Sequence, residues 1–152
     1  WQKLVGPALD VERLAVAAMA LGITRGALDD AWRYAGERKQ FGKAIGEHQA
    51  VRHRLVDLRT LFQACEHMLY HAAWLADQGR SCAVESSMAK MFVTDHGLDI
   101  VIQCQQILGA YGCAEEYDME RHVRDMTCLP IVGGSSNMQR NNIANRLRLA
   151  RS

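Results

Sequence analysis

Proline is nearly missing: Pro7 and Pro130 are the only two in 152 residues, so the stretch from Ala8 to Leu129 carries no helix breaker. That absence points to an all-α fold, because proline removes a backbone donor and clashes with the preceding turn. No Cys-x-x-Cys pair occurs among the five cysteines, Cys65, Cys82, Cys104, Cys113 and Cys128. An odd count without paired spacing speaks against a disulfide scaffold or a zinc knuckle and fits a reducing compartment, a bacterial cytoplasm or a mitochondrial matrix. Neither sign of charge is in excess: 18 Lys and Arg face 17 Asp and Glu, so no global field steers the chain to nucleic acid or a membrane surface. There is no run of about 18 uncharged apolar residues and no basic-then-apolar leader, so neither a membrane span nor a signal peptide is expected. The chain starts at Trp1 and not at methionine, and is expected to be a piece of something longer.

What is present is ordinary globular composition, 49% hydrophobic with 23% charged, enough for one domain with a real core. Leu9, Leu14, Ala17, Ala18, Leu21, Ala27, Leu28, Ala31, Trp32 and Ala35 follow three-and-four spacing and predict a first helix from about Asp10 to Gly36. Gly22 and Gly26 within it suggest close packing against a neighbour, since each costs up to about 1 kcal/mol in a helix interior. The segment Gly36 to Gly46 reads as a connection. Val51, Leu55, Leu58, Leu61, Phe62, Cys65, Met68, Leu69, Ala72 and Leu75 predict a second long helix closing at Gly79. A third opens between Ser81 and Ser87, with Ala89, Phe92, His96, Leu98, Val101, Ile102, Gln105 and Leu108 as its packing face, and ends at Gly109 and Gly112. A short helix ends near Asp125, a break runs from Pro130 to Gly134, and a last helix starts at Ser135 or Ser136, both good N-cap types. The expected architecture is an antiparallel four-helix bundle with one short additional helix.

Spacing alone assigns no chemistry. A di-iron bundle needs Glu-x-x-His pairs and none is present; His67 and His71 with Glu66 lack a third convergent ligand, so no metal is expected. No P-loop, nucleophile elbow or complete Gly-x-Gly-x-x-Gly occurs. Arg140, Arg146, Arg148 and Arg151 cluster at the C-terminal end, but without interleaved aromatics they read as cations favoured by a helix C-terminus and not as a nucleic-acid patch.

A set of ordered stretches nevertheless resembles the C-terminal domain of acyl-CoA dehydrogenases, flavoenzymes that oxidise acyl-CoA thioesters to 2-enoyl-CoA. They are LDVERL (Leu9 to Leu14), YAGERKQFG (Tyr34 to Gly42), HQAV (His48 to Val51), Ala89 with Lys90, QQILGAYG (Gln105 to Gly112), Arg124 with Asp125, and GGSSNMQ (Gly133 to Gln139). The resemblance implies that residues 1–152 are the C-terminal bundle of a subunit whose N-terminal helical and middle β domains lie outside this chain. It implies FAD as cofactor, an acyl-CoA substrate, a homodimer or homotetramer, and electron-transfer flavoprotein as acceptor; the isolated chain is expected to be inactive.

Site residues follow from the same resemblance, position by position. Arg38, Gln40 and Phe41 match residues that reach the FAD of a neighbouring subunit, the arginine on the pyrophosphate, where a planar permanent cation suits a phosphate. His48 and Gln49 match further cofactor-side positions, and Gln106, Leu108 and Gly109 a loop approaching the adenine half. Where the family usually has two adjacent glycines, this chain has Gly109 then Ala110. Ser135 and Asn137 match positions near the cofactor phosphates at a helix start, where free N–H groups favour anions. Many members carry the catalytic glutamate at the position of Gly133, in a stretch like YEGT. This chain reads VGGS there and instead has Glu12 in LDVERL, the placement of the isovaleryl-CoA and long-chain types.

The resemblance thus makes Glu12 the general base for the α-proton while a hydride leaves the β-carbon. A carboxylate in a dry pocket is a better base at operating pH. The Gly133 N–H remains able to serve the thioester oxygen, since that role needs no side chain. Asp10, Arg13 and Gly134 match substrate-side positions, with an ion pair to Asp10 or Glu12 as the plainer role for Arg13; Arg124 and Asp125 are expected to form a structural ion pair. The GGSSNMQ ending also resembles the crotonobetainyl-CoA reductase branch. A non-catalytic oligomerisation module is the reading from a different class.

Overall fold

In a computed structural model describing residues 2–148, the chain folds into five helices and one small hairpin. They are α1 (Gln2–Glu37), β1 (Lys39–Gln40), β2 (Lys43–Ala44), α2 (Gln49–Asp77), α3 (Ala83–Leu108), α4 (Met119–Thr127) and α5 (Ser136–Arg146). Trp1 and Arg151, which entered the sequence reading, lie outside the described residues. Four of the helices form the bundle and α4 is the short addition, as expected. At 36 residues α1 is about 54 Å long by the 1.5 Å rise per residue. It starts well before Asp10 and takes Pro7 into its second turn.

The most extensive packing is between α1 and α3. On α1 the buried line is Ala17, Ala20, Leu21, Thr24, Ala27, Leu28, Ala31 and Ala35, with Val16 beside it. Its many alanines let the helix axes approach closely. Ala18 and Trp32 stand one residue off that line and are exposed, as is Leu9, so the predicted stripe was too wide. Gly26 packs closely on the His122 imidazole of α4, 3.2 Å from where a Cβ would stand, whereas Gly22 faces open space among the described residues. The tightest approach is at Gly97 of α3, where an added Cβ would lie 2.7 Å from Thr24 Oγ1 and 2.5 Å from Met126 Cε.

On α2 seven of the ten predicted residues are buried, Leu55, Leu58, Phe62, Cys65, Leu69, Ala72 and Leu75, and Val51, Leu61 and Met68 at the edge of the face are half-buried. On α3 only part of the predicted face is buried. Ala89, Val101 and Leu108 are buried, but Ile102 is exposed, and Phe92, His96, Leu98 and Gln105 are half-buried. The helix packs against α1, α2, α4 and α5, so it has no single apolar face. It buries polar residues that bond back to their own helix, Ser87 Oγ to Ala83 O at 2.9 Å and Thr94 Oγ1 to Lys90 O at 2.9 Å.

The connection after α1 is a hairpin, with Lys39 opposite Ala44 and Gln40 opposite Lys43. Its two turn residues, Phe41 (φ 53°) and Gly42 (φ 82°), are both left-handed, the requirement of a two-residue type I′ loop. In α4, Arg124 does not pair with Asp125; it forks onto Glu120, Nε to Oε2 at 2.6 Å and Nη2 to Oε1 at 3.0 Å. Neighbours in sequence face apart on a helix, whereas residues four apart share a face.

Lys90 is fully buried in α3, its Nζ donating to Pro130 O at 3.0 Å. Burial holds this ammonium below the ordinary lysine value, with Asp95 opposing the shift. The folded chain therefore releases this proton at lower pH than the unfolded chain. Stability should rise as pH climbs from the depressed folded value to the ordinary unfolded one, the full cost being present below both. Urea unfolding across alkaline pH should show that rise in the parent and a flatter dependence in Lys90→Met.

Candidate functional site

The residues singled out above fall into two groups, at opposite ends of α1. Glu12 and Glu37 are separated by about 38 Å along the helix at 1.5 Å per residue.

The first group lies where α1 meets the segment before α5. Asp10 is held from two sides, by Arg13 Nη1 at 2.6 Å and Ser86 Oγ at 3.1 Å, which ties α1 to α3. Arg13 thus pairs with Asp10 and not with Glu12. Its Nε is buried and meets no acceptor among the described residues, an orphaned donor of the kind a ligand satisfies. Glu12 is exposed, and its carboxylate makes no hydrogen bond or ion pair among the described residues. One turn on, at Val16, comes Gly133: a Cβ built there would lie 3.1 Å from Val16 Cγ2. Residues four apart share a helix face, so the segment with Gly133 lies beside the face that carries Glu12.

That segment is a turn of two left-handed glycines, Gly133 (φ 66°) and Gly134 (φ 89°). Buried side chains hold it. Gln139 Nε2 donates to Gly133 O at 3.0 Å and Gly134 O at 2.8 Å, and Lys90 holds Pro130. Ser135 follows as N-cap of α5, its Oγ accepting from Met138 N at 3.4 Å. Asn137 is exposed, Oδ1 accepting from Arg140 Nη1 at 3.1 Å. Arg140 also reaches Asp95 at 3.5 Å.

The second group surrounds the hairpin. Phe41 is 93% exposed at its tip, edge-on to the His48 ring, and His48 Nε2 lies 3.3 Å from Gln40 O. A non-glycine residue in the left-handed region costs roughly 1 kcal/mol, and the His48 edge is the one ring contact that Phe41 has among the described residues to offset it. Gln49 is exposed at the start of α2. The Arg38 guanidinium stacks over Tyr111 at 5.6 Å and meets no carboxylate among the described residues, leaving it available to an anion.

Tyr111 also links Arg38 to the loop after α3, where Gly109 (φ 61°) caps the helix, Gln106 is exposed and Leu108 is buried. Tyr34, Tyr111 and Tyr117 have ring centroids 5.4 to 6.3 Å apart beside a cavity of about 420 Å³ that Arg38 and Leu108 also line. Burial pushes the Tyr34 phenol above its ordinary value, with Arg38 pulling the other way. Sequence reasoning missed this aromatic cluster, because Tyr34 lies in α1, far along the chain from Tyr111 and Tyr117. Gln139 and Lys90 stand in the ordered motifs but had no role there, because a polar residue's burial leaves no mark on hydrophobic spacing.

His67 contacts Gln63 and His71 stacks on Trp74, on the outside of α2. Among the described residues no helix is long and apolar enough to cross a membrane.

Residues 3–148 match the family described as acyl-CoA dehydrogenase, C-terminal domain. The chain is 40% identical over 132 residues to an acyl-CoA dehydrogenase of Bacillus subtilis, covering 87% of this chain and 35% of that protein. It is 41% identical over 131 residues to subunit CarC of the caffeyl-CoA reductase-Etf complex of Acetobacterium woodii, covering 86% and 35%. It superposes with a TM-score of 0.91 on butyryl-CoA dehydrogenase from Megasphaera elsdenii, at 34% identity over 93% of this chain and 37% of that one. The chain therefore spans about a third of the length of the relatives it matches. It belongs to the acyl-CoA dehydrogenase family, of which it is the C-terminal helical domain.

Proposed function

We propose that this chain is the C-terminal part of a flavin-dependent acyl-CoA dehydrogenase, in which Glu12 removes the α-proton of the acyl thioester. The observation that carries the reading is the packing of Gly133 on Val16, one turn from Glu12. The two positions at which the family resemblance allows a catalytic glutamate are thereby neighbours in space. A carboxylate lost from one is supplied from the other toward the same substrate carbon.

Arg13 fits beside it, with a buried donor still unspent. The Gly133 N–H donates to the thioester oxygen as charge develops there. Glu12 is open to solvent on this chain, so the domains missing from it must close over the carboxylate and exclude water.

The donor set also fits FAD. Arg38 would hold the pyrophosphate, Gln40, Phe41, His48 and Gln49 the hairpin side, and Gln106, Leu108 and Gly109 the adenine side, with Ser135 and Asn137 near the phosphates of the chain's own cofactor. When bound, the flavin accepts the hydride that leaves the β-carbon. The separation of about 38 Å along α1 between the two groups is farther than one dinucleotide reaches, which supports a dimer in which each copy completes its partner's cofactor site. Electron-transfer flavoprotein is the acceptor this reading implies.

The likeness to a caffeyl-CoA reductase subunit favours a second reading, reduction of a 2-enoyl-CoA, in which Glu12 returns the proton. Anaerobic titration of the full-length protein distinguishes the two. Saturated straight-chain, branched, arylalkanoyl and carnitinyl thioesters should bleach the flavin band if oxidation is the working direction, and enoyl thioesters should restore it in the reduced protein if reduction is. If none perturbs the band, the enzyme reading falls and an assembly module replaces it. Arg38→Ala should lose FAD on gel filtration while the assembly stays intact.

A further inference from the structure

We infer that Gln139 is a positioning residue of the reaction: with both amide hydrogens on the carbonyls of Gly133 and Gly134, it holds the two-glycine turn so that the Gly133 N–H stays aimed at the thioester oxygen. The inference rests on the proposed function. Two consecutive glycines at φ 66° and 89° have no side chains of their own to fix the turn. The side chains before them do not anchor it either, for Ile131 is 70% and Val132 47% exposed; only their N–H groups are tied, both to Cys128 O, at 3.0 and 3.1 Å. The two glycines themselves are held through their carbonyls.

Gln139 is 1% exposed, and its Nε2 lies 3.0 Å from Gly133 O and 2.8 Å from Gly134 O. Its Oε1 accepts from Asn142 Nδ2 at 3.4 Å, which turns the amide NH2 toward the glycines. Upstream, Lys90 Nζ and Ser136 N both donate to Pro130 O, at 3.0 and 3.2 Å. Pinning the Gly133 carbonyl fixes the rotation of that residue and, through it, the direction of its N–H. The fit is close on the other side too: a Cβ at Gly134 would lie 2.8 Å from Gln139 Nε2, so no other residue leaves room for this bond.

The test uses the full-length flavoprotein as wild type, Gln139→Leu and Gln139→Glu, with a 2-enoyl-CoA labelled at the carbonyl carbon. Isotope-edited infrared difference spectra read the carbonyl stretch of the bound thioester, which falls in frequency when a donor polarises it. Wild type should show a clear downshift. Gln139→Leu, folded and flavin-replete, should lose most of it, with kcat reduced about tenfold and KM little changed, as expected when one donor is misaimed and not removed.

Gln139→Glu can donate only when protonated, so its downshift should be present on the acid side of that carboxyl's titration and absent on the alkaline side; it answers alone if the leucine variant does not fold. A wild-type downshift retained in Gln139→Leu, or independent of pH in Gln139→Glu, overturns the inference and leaves the proposed function standing. No enoyl-CoA binding by the wild type overturns the proposed function itself.

Discussion

Glu12→Gln in the full-length protein is expected to remain folded, keep its FAD and bind acyl-CoA, while its rate of α-proton removal falls by about 10²- to 10⁴-fold, the span of a lost general base. The amide is isosteric with the carboxylate but takes up no proton. Folding should be indifferent, because Glu12 is exposed and makes no bond among the described residues. Stopped-flow bleaching of the flavin band gives the rate, and exchange of the substrate's α-hydrogen with solvent gives the proton step by itself. Equal rates in wild type and variant would move the base to another residue.

The structure also says what relocation demands. Gly133→Glu in the Glu12→Gln background should recover little, for two reasons. Its φ of 66° penalises any side chain by about 1 kcal/mol. A Cβ there lies 3.1 Å from Val16 Cγ2. Adding Val16→Ala removes the contact, and the triple variant should recover more than the double.

How much of this could be read in advance differs from element to element. The α2 helix was the most legible because it has one buried face, and its three-and-four spacing follows that packing, with Val51, Leu61 and Met68 at the edge only half-buried. The α3 helix was less so, since neighbours on several sides leave no single stripe and its buried Ser87 and Thr94 satisfy their hydroxyls within their own helix. The hairpin was invisible for another reason: two residues per strand carry no period, and a phenylalanine is an unusual occupant of a left-handed turn position. Candidate site residues came from the ordered motifs, which say what a position does elsewhere but not what it touches here. Only the fold brings Gly133 against Val16, gives Arg13 to Asp10, and turns Arg124 back to Glu120 and not sideways to Asp125. Close packing holds at Gly26, which abuts the His122 ring of α4, but not at Gly22, and the tightest approach, at Gly97, is not legible in the spacing; this leads to a test with opposite signs at two sites.

Gly97→Leu should destabilise the domain by roughly 3 kcal/mol, the upper end for overpacking a tight core, and Gly22→Ala should stabilise it by about 0.5 to 1 kcal/mol. At Gly97 even a Cβ would stand 2.7 Å from Thr24 Oγ1 and 2.5 Å from Met126 Cε. Met126 can swing its terminal methyl aside. Thr24 cannot, because it is fully buried and its hydroxyl is tied to Ala20 O at 2.7 Å. A larger side chain must therefore push α3 away from α1 along the most extensive contact in the fold. Gly97→Ala should be the milder member of the series, since its gain in helix propensity offsets part of the clash. At Gly22 an added methyl meets nothing within 4 Å among the described residues, so only the lower chain entropy of the unfolded state and the better helix propensity register. Thermal unfolding of the three variants beside the parent should give this order, with Gly22→Ala above the parent and Gly97→Leu lowest. If Gly97→Leu melted with the parent, α1 and α3 would not be in register at Thr24. Because α1 carries Glu12 and α3 carries Lys90, which holds the segment leading to Gly133, a shift between these helices would also move the proposed base relative to the thioester's donor. Gly97→Leu should therefore lose activity at temperatures where it is still folded.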